Sequence, residues 1–154
     1  MLLAVARPDY REQGYSQMLS RKFNISRDTA RAHISNIAGK FRVSGIFSIV
    51  LHALNYGIIT LDEIGEEYLQ DIRSQLPYMT NGQRNVVESM YKWSLINGSV
   101  NNRYFDKAPA TVKNHRSNIC TRFRISNPAH LALVAYLLFG RHDNLDYGGH
   151  AATK

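Results

Sequence analysis

Apolar residues recur at helical spacing along most of the chain, and this pattern predicts an all-α protein. One stripe of a 3.6-residue period is formed by Ala30, His33, Ile37 and Phe41. A shorter amphipathic stretch, with Leu19 and Phe23 four residues apart, precedes this stripe, and residues 24–26 separate the two. We therefore expect a helix, a turn and a second helix in this part of the chain.

This helical segment occurs twice. Residues 29–44 are matched without a gap by residues 111–126, so that Thr111 follows Thr29 at an offset of 82 residues. In the second copy the predicted buried stripe is Val112, His115, Ile119 and Phe123, and the opposite face carries Ala110, Lys113, Asn114 and Ser117. The same geometry places Asp28, Arg31, Ala32 and Ser35 on the outer face of the first copy. The chain is therefore expected to contain one small helical unit twice.

The repeat sets the expected domain organisation. Residues 1–58 are predicted to form a first helix-turn-helix unit whose first helix is truncated, and residues 77–141 a second unit. Residues 59–76 are predicted to form an acidic connector helix, and residues 142–154 a flexible tail. Because units of this size bury limited apolar surface, we expect them to pack against each other.

The connector shows a helix start signal. Thr60 and Glu63 have the spacing of a capping box, and apolar residues follow at helical intervals. A helix of about 15 residues, roughly 22 Å long, would act as a rod that fixes the distance between the two units. Its five acids, with Arg73 as the single base between residues 61 and 75, indicate a face turned away from nucleic acid.

The segment 129–139 is apolar almost all round and exceeds what one small core covers. Two interpretations remain open. The helix packs against the other copy, or it forms a homodimer contact with a second subunit.

The chain is basic, with a formal net charge of +7 and a pI of about 9.7. A basic balance favours a polyanionic partner, although it also suits membranes and acidic proteins. The distribution is more informative, because residues 7–43 hold eight Lys or Arg against three acids and residues 76–140 hold eight against two. Both copies are therefore basic, whereas the connector is acidic.

Other chemistries find little support in the residues. Cys120 is the only cysteine, so an internal disulfide and a cysteine-caged metal are excluded. His33 and His115 are expected to be structural, and neither a metal nor a cofactor nor catalysis is predicted. No apolar run approaches about 20 residues and residues 1–6 are too short for a signal core, so we expect a cytoplasmic protein that does not enter a membrane.

The second copy resembles the recognition helix of LuxR/GerE-type helix-turn-helix regulators. The resemblance rests on Thr111-Val112-Lys113-Asn114-His115 and Ser117-Asn118-Ile119, with weaker matches in the first copy at Thr29, His33 and Ile37. Ala108 stands where the family usually has Ser. The resemblance implies two tandem four-helix units whose third helices enter the major groove of DNA.

Carried over position by position, the resemblance implies a set of DNA-contacting residues. The base-reading positions are Arg31, Ala32 and Ser35 in the first copy, and Lys113, Asn114 and Ser117 in the second. Separately, their places at the start and end of these helices make Thr29, Thr111, Lys40, Arg42, Arg122 and Arg124 expected backbone contacts, with Arg27, Arg116 and Lys107 as weaker candidates. Arg or Lys pairs with guanine, Asn with adenine, and Ala offers only an apolar contact, so the two copies should prefer different half-sites.

We therefore expect a sequence-specific regulator of transcription that binds double-stranded DNA, is associated with the nucleoid, and places its two recognition helices in major grooves about 34 Å apart. Two alternatives stay open. One is a co-regulator or antagonist that uses a helix-turn-helix scaffold to bind another regulator or RNA polymerase. The other is a DNA-architectural or recombination accessory factor, which would bend DNA without strong promoter selectivity.

Overall fold

A computed structural model of the chain describes residues 1–7, 14–100, 105–125 and 127–140. These residues form helices and no strands, so the all-α prediction is confirmed for them. The helices are α1 (Leu2–Ala6), α2 (Tyr15–Phe23), α3 (Arg27–Phe41), α4 (Ile46–Asn55), α5 (Leu61–Ile64), α6 (Glu66–Gln75), α7 (Asn81–Asn97), α8 (Pro109–Phe123) and α9 (Pro128–Phe139). A 3-10 turn, Leu76–Tyr78, joins α6 to α7.

The repeat is visible in the backbone of α3 and α8. Each helix has 15 residues, and each ends at an arginine in the left-handed conformation, Arg42 with φ of 56° and Arg124 with φ of 51°. After both arginines the next residue donates its N–H to a carbonyl five residues back, as Val43 does to Ala38 at 3.0 Å. This arrangement satisfies carbonyl groups that a helix end leaves free. The two copies therefore have the same helix length and the same C-terminal cap.

The helices that follow α3 and α8 form the centre of the fold. α4 and α9 share the most extensive helix–helix contact, and α7 and α1 each pack against both of them. All residues from Ala129 to Leu137 are buried. The apolar segment predicted at 129–139 is thus covered by the other half of the same chain, which was the first of the two interpretations. Little of this helix is left for a homodimer contact.

The prediction of a single rod-like connector helix was wrong. The segment is divided into α5 and α6 at Gly65, whose φ of 114° belongs to a region that L side chains rarely adopt. α6 also does not stand apart from the core, because Leu69 and Ile72 are only 1% and 2% exposed and the helix contacts α8. The capping box between Thr60 and Glu63 is present as predicted, with the Thr60 N–H donating to Glu63 Oε2 at 2.8 Å.

The remaining expectations concern the ends of the two halves. The first helix of the first half is short, as predicted, since α1 has five residues. In the second half, residues 98–100 and 105–108, between α7 and α8, are not helical, and residues 101–104 lie outside the described residues. The tail at 142–154 also lies outside them. Within the described residues, no single helix is both long and apolar enough to cross a membrane, and only α3 and α4 taken together, with a 52° bend, meet the length and composition criteria.

Candidate nucleic-acid interface

α3 is positioned by its cap and by a buried stripe. The Ser26 side chain accepts a hydrogen bond from the Thr29 N–H at 3.0 Å, which fixes the start of the helix. Ala30 and Ile34 are buried below it. The predicted position of His33 on this stripe was wrong, because Ile34 occupies the inward position one residue later and His33 is exposed.

α8 is held by a similar stripe but starts differently. Val112, Ile119 and Phe123 are buried as predicted, whereas His115, which was predicted to be buried with them, is half-buried. The His115 ring lies over Gly82 near the start of α7, where an added Cβ would be 2.7 Å from its Cε1 atom. The N-cap is Ala108, whose side chain has no acceptor for the first N–H groups, and a proline occupies the first turn.

The structure turns the predicted base-reading residues to the surface. We call Arg31, Ala32 and Ser35, with Asp28, the α3 face, and Lys113, Asn114 and Ser117 the α8 face. Every side chain in both faces is exposed. The outward orientation inferred from helical periodicity is therefore confirmed.

The predicted backbone contacts are also exposed, with one exception. Exposed side chains are those of Arg27, Thr29, Lys40, Arg42, Lys107, Thr111, Arg122 and Arg124. Arg116 is half-buried, because it occupies the position equivalent to Ile34, a core residue of the first copy that is 5% exposed. Arg116 is consequently the weakest of these candidates.

The two faces differ in how their cations are arranged. Arg31 Nη1 lies 3.4 Å from Asp28 Oδ1, and the two side chains are 60% and 92% exposed. The position equivalent to Asp28 in the second copy is Ala110, so Lys113 has no acid one turn before it. Lys113 instead lines a surface hollow of about 400 Å³ together with Ala110 and Arg116.

The hydroxyl groups at the start of the two helices differ as well. Thr29 Oγ1 is 2.8 Å from Ser26 Oγ, so this hydroxyl already takes part in the cap of α3. Ala108, the residue equivalent to Ser26, has no hydroxyl to engage Thr111 in that way. Thr111 therefore presents its hydroxyl without the cap partner that Thr29 has.

The sequence analysis did not identify an exposed cation beside the α3 face or the buried polar residues that hold the helices together. Arg21, exposed in the last turn of α2, lies just before the turn that leads into α3, and the signal for it was the clustering of bases in residues 7–43. The other kind is buried and polar. His130 is fully buried in α9, with Nδ1 2.5 Å from the hydroxyl of Tyr68 and Nε2 3.0 Å from the carbonyl of Val5. These bonds fix α6 and α1 against the central helix, and no local pattern indicates them.

Cys120 is half-buried on α8. Burial raises the pKa of its thiol above the ordinary value of 9.0, and the nearby positive charge of Arg116 opposes that increase. A thiol of this kind is mostly protonated near neutral pH and is a poor nucleophile. In the described residues, no group of three or more His, Cys, Asp or Glu side chains is arranged to hold a metal ion.

Comparison with known proteins adds no family assignment. No family model matches the sequence, and no curated protein or solved structure matches it significantly.

Proposed function

We propose that the protein is a sequence-specific, double-stranded DNA-binding regulator of transcription, built from two tandem units of the LuxR/GerE helix-turn-helix type. The observation that supports this best is the duplication of an exposed helix face. Helices of equal length and equal C-terminal cap present Arg31 and Lys113 at equivalent positions, and each is followed by a further cation near its end. In this proposal the two faces contact bases and the remaining cations contact phosphates.

The packing of the fold connects the two faces through a single hydrophobic core. α4 and α9 join the two halves through a buried apolar contact, so α3 and α8 are carried by one shared core. A regulator normally obtains two recognition helices by forming a dimer. This chain would obtain them within one polypeptide and would be found with the nucleoid.

Binding to random genomic duplex fragments tests the proposal. We expect a salt-sensitive gel shift in which the logarithm of the affinity falls with the logarithm of salt concentration at a slope of roughly 5, if about six phosphates are neutralised. Lys113→Ala and Arg31→Ala should weaken the shift. The matched control is Lys92→Ala, which removes an exposed cation of α7 that is paired with Glu88 at 2.7 Å. Absence of binding by the unmodified chain at low salt would contradict the proposal.

A second candidate function is that of a co-regulator that binds another regulator or RNA polymerase. It is favoured by the outer side of α5 and α6, where five acids are exposed, and by the exposed side chains of Tyr56 and Ile58 nearby in sequence, which are 71% and 53% accessible. The buried α9 cannot serve this purpose. This candidate predicts no duplex binding at low salt and loss of partner binding when Tyr56 and Ile58 are replaced by Ser.

A further inference from the structure

The α3 and α8 faces are equivalent by sequence, yet they do not present the same charge to a polyanion. In the α3 face the cation that corresponds to Lys113 is Arg31, and it lies 3.4 Å from the carboxylate of Asp28. Both side chains are largely exposed, so the contact itself is weak. The position of the Asp28 carboxylate matters more than the strength of this ion pair, because the carboxylate lies on the surface that a duplex would approach.

The α8 face lacks this carboxylate. Ala110 takes the place of Asp28, and the hollow beside Lys113 is lined by Pro109, Ala110, Val112 and Arg116, none of which is acidic. Thr111 is also free of the cap contact that engages Thr29. These two differences favour phosphate oxygens at the start of α8, whereas Arg27, whose equivalent is Pro109, favours them at the start of α3.

We propose that the two DNA-binding faces are unequal, and that Asp28 is the residue that weakens the α3 face by holding Arg31 and by repelling phosphates. This inference rests on the proposed function. The α8 face then carries most of the sequence-independent binding. The α3 face engages DNA only where its local contacts outweigh the repulsion, so Asp28 restricts which sites the protein occupies.

The size of the effect follows from simple electrostatics. One unit charge acting on another at about 7 Å in water changes a binding constant about threefold. Asp28→Asn should therefore tighten binding to a random-sequence duplex about threefold at low salt. The gain should shrink as salt rises, because exposed charges are screened.

The experiment compares variants on a fluorescein-labelled random-sequence duplex by anisotropy at low salt. Lys113→Ala should weaken binding about three times more than Arg31→Ala. Ala110→Asp, which gives α8 the acid found in α3, should weaken binding about threefold. The matched control is Asp62→Asn, since Asp62 is also an exposed acid in the first turn of a helix, and it should change binding less than Asp28→Asn.

A double variant separates the two effects of Asp28. If Asp28 holds Arg31, then Arg31→Ala should cost more in the Asp28→Asn background than in the unmodified chain. Circular dichroism on each variant checks that it has kept its helical content.

The outcomes distinguish the inference from the function on which it rests. If the unmodified chain binds no duplex at low salt, both are overturned. If it binds, but Asp28→Asn matches Asp62→Asn and Arg31→Ala matches Lys113→Ala, the inequality of the faces is refuted and the DNA-binding proposal stands.

Discussion

The hydrogen bond between Tyr68 and His130 offers a direct test of how α6 is held to the central helix. The two side chains come from segments 62 residues apart, and they meet where Tyr68 is 6% exposed and His130 is fully buried. Because Nε2 of the imidazole lies 3.0 Å from the carbonyl of Val5 and donates to it, Nδ1 is left to accept from the Tyr68 hydroxyl. The ring therefore joins α1, α6 and α9 at one point.

The expected magnitudes follow from the burial of these groups. Taking one partner away from a buried polar group costs about 1–3 kcal/mol. Tyr68→Phe should therefore lower the free energy of unfolding by about 1–3 kcal/mol. His130→Leu affects two partners and should cost about 2–4 kcal/mol, with Asn127 Nδ2, 3.4 Å from the same Val5 carbonyl, limiting the loss. For a chain of this size each kcal/mol lowers Tm by about 2–4 °C.

Urea unfolding of both single variants and of the double variant gives the coupling energy. We expect the double variant to be more stable than the sum of the single effects predicts, by about 1 kcal/mol, because the same bond is lost only once. Tyr78→Phe is the matched control, since Tyr78 is 69% exposed, and it should stay within about 0.5 kcal/mol of the unmodified chain. Additive single effects would refute the bond as a source of stability.

Three further predictions concern local structure. Gly98→Ala should lower the free energy of unfolding in urea by at least about 1 kcal/mol, because Gly98 has φ of 69° and an added Cβ would lie 2.6 Å from the carbonyl oxygen of Arg42. The control is Gly14→Ala, since Gly14 has a negative φ and an added Cβ there would meet no atom within 4 Å. Thr80→Ala removes the side-chain acceptor that caps α7 and should lower Tm by a few degrees, whereas an unchanged Tm would contradict the capping box. Burial raises the pKa of Cys120 in the folded state, so at alkaline pH the folded chain retains a proton that the unfolded chain releases. The free energy of unfolding should therefore fall as pH rises through about 9 and above. The fall should be smaller in Cys120→Ala.

The exposed faces of α3 and α8 could be predicted because they depend only on helical period and on a repeat within one chain. Helical period alone does not determine the buried stripe of the first copy. His33 and Ile34 are adjacent, and steps of either three or four from Ala30 reach the inward side of a helix. Packing selects Ile34, which buries more apolar surface than an imidazole, and the imidazole faces solvent instead.

Long-range features could not be predicted. The apolar composition of α9 predicts that the helix is buried, but a local pattern does not predict which helices pack against it. The break at Gly65 depends on where α5 and α6 must pack, since an isolated glycine is tolerated in many helices. The partners of His130 lie 62 and 125 residues away in the chain, beyond any sequence periodicity.

The shared α4–α9 core also determines which substitutions the two exposed helices can accept. In an assembly of two identical chains, any substitution appears at two symmetric places, so neither surface changes without the other. Here each exposed helix is encoded separately, and one of them can acquire an Asp where the other has an Ala while the buried joint stays intact. Joining the halves in one polypeptide thus frees two outer surfaces to diverge without dismantling what holds them together.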